Sequence, residues 1–385
     1  MTLALVVEVL YSGMVSGLVI DMEDDAVSID MGDIQVLTPN YATRPSLYEA
    51  VPAPDAMVAD LEARGFRATP RLFAGGLAAS GESSAGVVFL GADPTRDAEV
   101  LDLHLYVARG EWLSDDDPLG VVVGRGLART LDVGLGDEIV VLSQAADGSM
   151  ANELFRVRGI LMSVAASTDR STILMPSQTF RELMVFEEGA HKILVRRPVG
   201  TELDAAAGQV MAVATAHTSD PVEVKTWKQL NPFLAQYIDT VSGAIVIVFL
   251  IIYMAVAILI LNAMLMAVYE RIREIGVLKA IGYGPWQVLA MMVIEGLIQA
   301  LVATSIGLVL AAPGMWYLAT YGIDVGALGG MEMGGLTMPA VWKAHFAVET
   351  TGVPVFLLFF IVMAAVLFPA VKAAWISPVQ AMHHQ

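Results

Sequence analysis

The sequence predicts a membrane α-helical protein with four transmembrane helices and a large extracytoplasmic α+β domain inserted between the first and second of them. The 385 residues are 56% hydrophobic and only 16% charged, too apolar for an ordinary soluble protein. The apolar residues concentrate in residues 1–20 and 240–375, which leaves a middle of ordinary globular composition. That middle, about 215 residues, is far longer than a loop and must fold as its own domain.

The first span is placed at 1–21. Met1 to Ile20 is interrupted only by Glu8, and at 1.5 Å per residue it covers about 30 Å, one hydrocarbon thickness. A cleaved signal peptide is the rival reading. It is disfavoured because the first basic residue is Arg44 and no small-residue cleavage pattern follows Ile20.

The domain is placed at 22–235. Short β-rich runs (86–91, 138–142, 154–158, 171–175, 191–195) alternate with helical patterns at 55–63, 177–185 and 202–214, with Gly, Asp and Pro turns between them. Helix 2 is placed at 236–269, where no charge occurs from Thr240 to Val268. A short segment at 270–284 separates it from helix 3 at 285–321, whose Ala-Ala-Pro-Gly at 311–314 is expected to kink or end the helix. A loop at 322–351 leads to helix 4 at 352–375 and a tail at 376–385.

From Asp21 to Asp239 there are 17 basic and 33 acidic residues, so the domain carries nearly all of the net charge of −18. Clustered Lys and Arg are missing, which rules against nucleic acid as a partner. Arg271, Arg273 and Lys279 lie between helices 2 and 3, against Lys343 alone between helices 3 and 4. By the positive-inside tendency the first of these loops is cytoplasmic, and alternation puts the domain outside.

Catalytic chemistry is not expected of this chain. The dipeptide Gly-Lys does not occur, so there is no phosphate loop. The six histidines form no His-Glu-x-x-His pair, and Gly81-Glu-Ser-Ser-Ala-Gly86 has the wrong spacing for a nucleophile elbow. Neither a metal nor a cofactor is called for. With no cysteine, disulfides and thiolate sites are also out. Glu295 and Glu8 are intramembrane acids, normally a sign of function. Each is read as a structural acid, since no basic partner is evident in the neighbouring spans.

Glu270 to Leu289 mixes charges with Ile272, Ile275, Leu278 and Ile281 at helical spacing and reads as a short interfacial helix. Either it docks on a soluble partner, with the isoleucines and leucine as anchors and the basic residues fixing register, or it is a membrane-surface turn. Its core, Glu-Ile-Gly-Val-Leu-Lys-Ala-Ile-Gly (274–282), resembles the coupling-helix motif of the MacB, FtsX and LolC/LolE superfamily of ABC transporter permeases. Gly120 to Val140 is similar to that family's periplasmic signature, and Phe368 to Met382 to its C-terminal ending. Asp33 to Tyr41 looks like the opening strand of the lipoprotein-releasing branch.

The resemblance implies a non-catalytic permease of the bacterial inner membrane that works as a pair, with a second copy or a related chain. The pair is bound to two copies of an ATPase subunit that holds ATP and Mg. Contact with the ATPase would fall on Arg271, Arg273, Glu274, Ile275, Gly276, Leu278, Lys279, Ile281 and Gly282. Closure of the ATPase is passed to the periplasmic domains by mechanotransmission, and in the lipoprotein-releasing branch lipoproteins are taken from membrane lipid and given to a periplasmic carrier. A substrate cleft at Met14, Leu18, Ile245, Val248 and Ile252 is expected from position in helices 1 and 2. The alternatives are a MacB-like efflux or secretion permease and an FtsX-like signalling permease acting on cell-wall hydrolases. Family members usually begin with a basic amphipathic segment, whereas this chain starts almost inside its first span, a departure that bears on how that span is anchored.

Overall fold

The computed structural model describes residues 1–162, 166–325, 332–333, 336–337 and 341–375. The tail at 376–385 and part of the 322–351 loop lie outside the described residues. Two compact units form: Met1–Asp21 with Tyr237–Val325 and Val341–Gln385, and Met22–Gln236 with Gly326–Ala340. Among the described residues four helices are long and apolar enough to cross a membrane.

Helix α1 (Thr2–Ala26) runs without a break into a π-helical turn, Val27–Met31. The helix therefore outlasts the apolar run. Its last turns, Met22 to Ala26, bury Met22 and Ala26 and pair Asp24 and Glu23 with Arg196 and Arg197.

The α+β unit follows in the order β1 (Ile34–Leu37), α2 (Pro54–Ala63), β2 (Arg67–Ser80), β3 (Ser83–Ala92), α3 (Pro94–Val100), β4 (Val107–Gly110), β5 (Gly120–Val123) and α4 (Arg125–Leu131). It continues with β6 (Glu138–Gln144), β7 (Met150–Leu161), α5 (Ala166–Ser171), β8 (Thr172–Pro176), α6 (Ser177–Met184), β9 (Lys192–Arg196), α7 (Leu203–His217), β10 (Glu223–Thr226) and α8 (Trp227–Leu230). The strand order is β10-β1-β9-β2-β3-β8-β5-β7-β4, with β6 bridging β2 and β7.

That bridge closes a ring. β2 pairs β3, β3 pairs β8, β8 pairs β5, β5 pairs β7, β7 pairs β6, and β6 returns to the far end of β2 through Leu77–Ala79. Closure removes the free edges of these six strands. The inward-facing residues, among them Leu72, Phe89, Val121, Ile139, Phe155 and Ile173, form one buried cluster with Leu127 and Leu131 of α4 and Phe180 of α6. At the closing seam Gly76 is needed for its size, because a Cβ there would collide with the Phe89 ring and sit 2.5 Å from the Leu142 carbonyl. The other half of β2 pairs β9, which continues through β1 to β10 as an antiparallel wing.

The helical unit contains α9 (Pro232–Glu270), α10 (Ile272–Ala280), α11 (Pro285–Thr320) and α12 (Val348–Trp375). α9 is 39 residues long, about 58 Å at 1.5 Å per residue and roughly twice the hydrocarbon core. One of its faces, including Val246, Ile247, Leu250, Ile251 and Met254, is exposed, as a lipid-facing stripe must be. Small residues let the helices approach: a Cβ on Gly307 of α11 would lie 2.9 Å from Leu5 of α1, and one on Gly296 would lie 2.8 Å from Val366 of α12. Helix α11 does not end at 311–314. α11 continues through Pro313 to Thr320, since a transmembrane helix tolerates proline where its neighbours restore the freed backbone group.

Candidate functional site

Three places combine charge, shape and position in a way that could carry function. The first is the helix between α9 and α11. Ile272, Ile275 and Gly276 turn inward and are buried, while Arg273, Glu274, Val277 and Ile281 face outward, Ile281 at 71% exposure. Leu278 is half-buried. Lys279 donates from Nζ to the Ala374 carbonyl at 2.7 Å, which ties the end of α10 to the end of α12. Arg271, at the N-cap, approaches Glu295 at 3.7 Å. Glu295 is therefore not the partnerless acid expected from the sequence: the partner sits just past the end of α9, where a search of the spans alone misses it. Gly282 takes φ +108°, a turn that returns the chain into α11. Of the predicted coupling residues, the structure turns Ile275 and Gly276 inward and ties half-buried Lys279 to α12, while Arg271 stays exposed beside Glu295. It leaves Arg273, Glu274 and Ile281 available to a partner.

The second place is a groove of about 530 Å³ between α1, α9 and α12. Its walls are apolar (Ile245, Phe249 and Leu357), with Ser12 and Ser16 on the α1 side. Of the five cleft residues expected from position, Ile245 lines it. Met14, Leu18, Val248 and Ile252 do not, because which faces of two helices meet depends on their pairing and not on depth in the span. One helical turn before Ser12, Glu8 is fully buried, and among the described residues neither of its oxygens has a hydrogen-bond partner of good geometry, although the Tyr253 side chain lies close enough to act on it. The neighbouring Tyr253 hydroxyl donates its proton elsewhere, to the Pro354 carbonyl at 2.5 Å.

The third place, which sequence patterns did not single out, is the polar end of α1 and the turn after it. Glu23 meets Arg197 at 3.6 Å and Asp24 meets Arg196 at 3.3 Å. Asp33 takes both arginines, at 3.1 Å from Arg197 and 3.6 Å from Arg196. Asp30, on the π-helical turn, pairs with Arg71 of β2 at 2.5 Å. Arg71 is fully buried, and its other face is a two-bond pairing with buried Asp97, both bonds 2.9 Å. Burial alone would pull the guanidinium down, but Asp97 and Asp30 outweigh it and raise its pKa above the usual arginine value. Four acids at the end of α1 and in the turn after it are thus gripped by three arginines of the domain. Their trace in the sequence is the acidic run at 21–25 and the pair Arg196-Arg197.

Among the described residues no cluster of His, Asp or Glu could hold a metal ion.

Residues 2–213 match the family model of the MacB-like periplasmic core domain, and residues 246–378 match that of the FtsX-like permease C-terminal region. An uncharacterized ABC transporter permease of Methanocaldococcus jannaschii is 27% identical over 229 residues, covering 57% of this chain and 55% of that protein. The chain thus spans about half the length of the curated relative it matches. Among solved structures, the periplasmic region of MacB from Actinobacillus actinomycetemcomitans aligns at TM-score 0.40 and 14% identity, covering 53% of this chain and 92% of that one. The extracellular domain of the ABC-type transporter YknZ from Gram-positive bacteria aligns at 0.37 and 12%, covering 50% and 99%. With a periplasmic core domain model matched over more than half its length and an FtsX-like region after it, the chain belongs to the MacB/FtsX-like superfamily of ABC transporter permeases.

Proposed function

We propose that this chain is the membrane subunit of a lipoprotein-releasing ABC transporter, a mechanical relay that catalyses nothing itself. ATP and Mg are held by a separate ATPase, two copies of which serve a pair of permeases. The outward residues of α10 receive its motion, and α1 carries that motion to the domain through the arginine clamp on its acidic end. A lipoprotein is taken from the outer leaflet of the inner membrane and passed to a periplasmic carrier. The observation that carries the choice of a lipidated substrate is the groove between α1, α9 and α12, lined mostly by apolar side chains and within the volume range of small-molecule pockets.

The test is affinity purification from the native membrane in mild detergent, with mass spectrometry of the co-purifying proteins and lipidated species. An ATPase together with triacylated lipoproteins is the expected result. An ATPase with a periplasmic adaptor or a cell-wall hydrolase would move the assignment to efflux or signalling, and no ATPase at all would overturn it. Because Gly276 is buried, a coupling variant belongs on the outer face: Val277→Asp with Ile281→Asp should abolish ATPase co-purification while the protein still inserts and folds.

A further inference from the structure

The α+β unit contains a second cavity, of about 330 Å³, beneath the loop that follows β1. This is the low end of the range for pockets that take small molecules, about 300–1,000 Å³. Its floor is the outer face of the sheet: Phe73 of β2, Val88 of β3 and Lys192 of β9. Its roof is Tyr41 and the stretch around Pro45 to Leu47.

The walls are fixed in advance. His191, fully buried, accepts the Phe73 backbone N–H at Nδ1 (3.1 Å), so its proton is on Nε2, which donates to the Leu47 carbonyl at 3.1 Å. One neutral imidazole, stacked on Phe186 at 4.7 Å, therefore anchors both floor and roof. Lys192 points into this space with its Nζ over the Phe73 ring, 4.5 Å from the centroid. Among the described residues no carboxylate comes within 4.0 Å of that ammonium. Asp30 is the acid that acts on it at longer range, but Asp30 is already committed to Arg71. A cation held against an aromatic wall, with apolar surface beyond it and no counter-ion in contact, is half of a recognition site.

We propose that this cavity binds a small amphiphilic carboxylate, with the carboxylate on the Lys192 ammonium and the apolar body lying between Phe73, Val88 and Leu47. Such a ligand replaces water at a half-desolvated cation with a charge-assisted hydrogen bond and covers apolar surface in the same step. The site is separate from the membrane groove and does not depend on what the transporter carries.

The test uses the full chain in lipid nanodiscs, with 4-phenylbutanoate as the probe and its neutral analogue 4-phenylbutanamide as the control, followed by saturation-transfer NMR and calorimetric titration. The carboxylate should bind at least tenfold more tightly than the amide, and Lys192→Met should remove that preference. Val88→Trp, at a position partly open to solvent, leaves the lysine in place but fills the cavity. It should abolish saturation transfer with an unchanged thermal midpoint, and it decides the matter if Lys192→Met does not fold. Equal binding of acid and amide, or binding retained in Val88→Trp, overturns the proposal.

Discussion

Arg71 shows how much a single side chain can organise. It lies on β2, fully buried, 26 residues from Asp97 and 41 from Asp30, and its charge is tolerable only because both acids reach it. Removing one partner leaves an uncompensated buried charge, so Asp97→Ala should cost about 3–5 kcal/mol, read as a lowered unfolding midpoint. Breaking the exposed Arg96–Asp55 pair with Asp55→Ala should leave the midpoint nearly in place.

His191 acts in the opposite sense. Burial first, then the nearby charges of Arg181 and Lys192, lower its pKa from 6.5 to about 4, against the pull of its bond to Leu47. The folded state therefore refuses a proton that the unfolded state accepts between these values. Stability contributed by the neutral ring is complete above about pH 6.5 and is lost as pH falls toward 4, about 3 kcal/mol over the window. His191→Gln should lower stability at pH 7 and flatten the slope between pH 4 and 6.5 in a series of thermal melts.

At the scale of elements, the helices pack where side chains are smallest. Gly307 admits Leu5, and a larger residue there must push α1 away from α11. Gly307→Leu should lower the thermal midpoint in detergent, whereas Gly243→Leu, with nothing within 4 Å of its Cβ, should not. The apolar helices are legible in the sequence because hydropathy is a local property, and the segment from Glu270 to Leu289 is legible because charge and apolar spacing coincide there. What the sequence conceals is pairing. Closure of β2, β3, β8, β5, β7 and β6 into a ring depends on contacts such as Leu77 with Leu142, which no short-range pattern announces. For the same reason the groove is lined by Ser12 and Phe249 rather than by Met14 and Val248, and Arg71 is invisible as a site until its distant partners are brought to it. Whether proline at 313 ends its helix is hidden for a related cause: α11 continues through it, and the effect of proline on a helix depends on what packs around it.

At the scale of the molecule, the acidic end of α1 is the point where apolar helix gives way to folded domain along the chain. There the segment Met22 to Met31 buries Met22, Ala26, Val27 and Ile29 and adds ion pairs to that burial. Arg196 and Arg197 each hold two acids of this segment and the turn after it, and Arg71 fastens the π-helical turn at Asp30. In a relay, such a joint must be stiff enough to pass displacement and need not contribute to ATPase binding. Arg196→Glu with Arg197→Glu places like charges against Glu23, Asp24 and Asp33 and should free the end of α1 from the domain while leaving α10 untouched. Under the lipoprotein-releasing function proposed above, the expected phenotype is uncoupling: the ATPase still co-purifies and still hydrolyses ATP, but release of lipoprotein from proteoliposomes is lost. If release survives, displacement reaches the domain by another element, and α9, 39 residues long, becomes the transmitting rod.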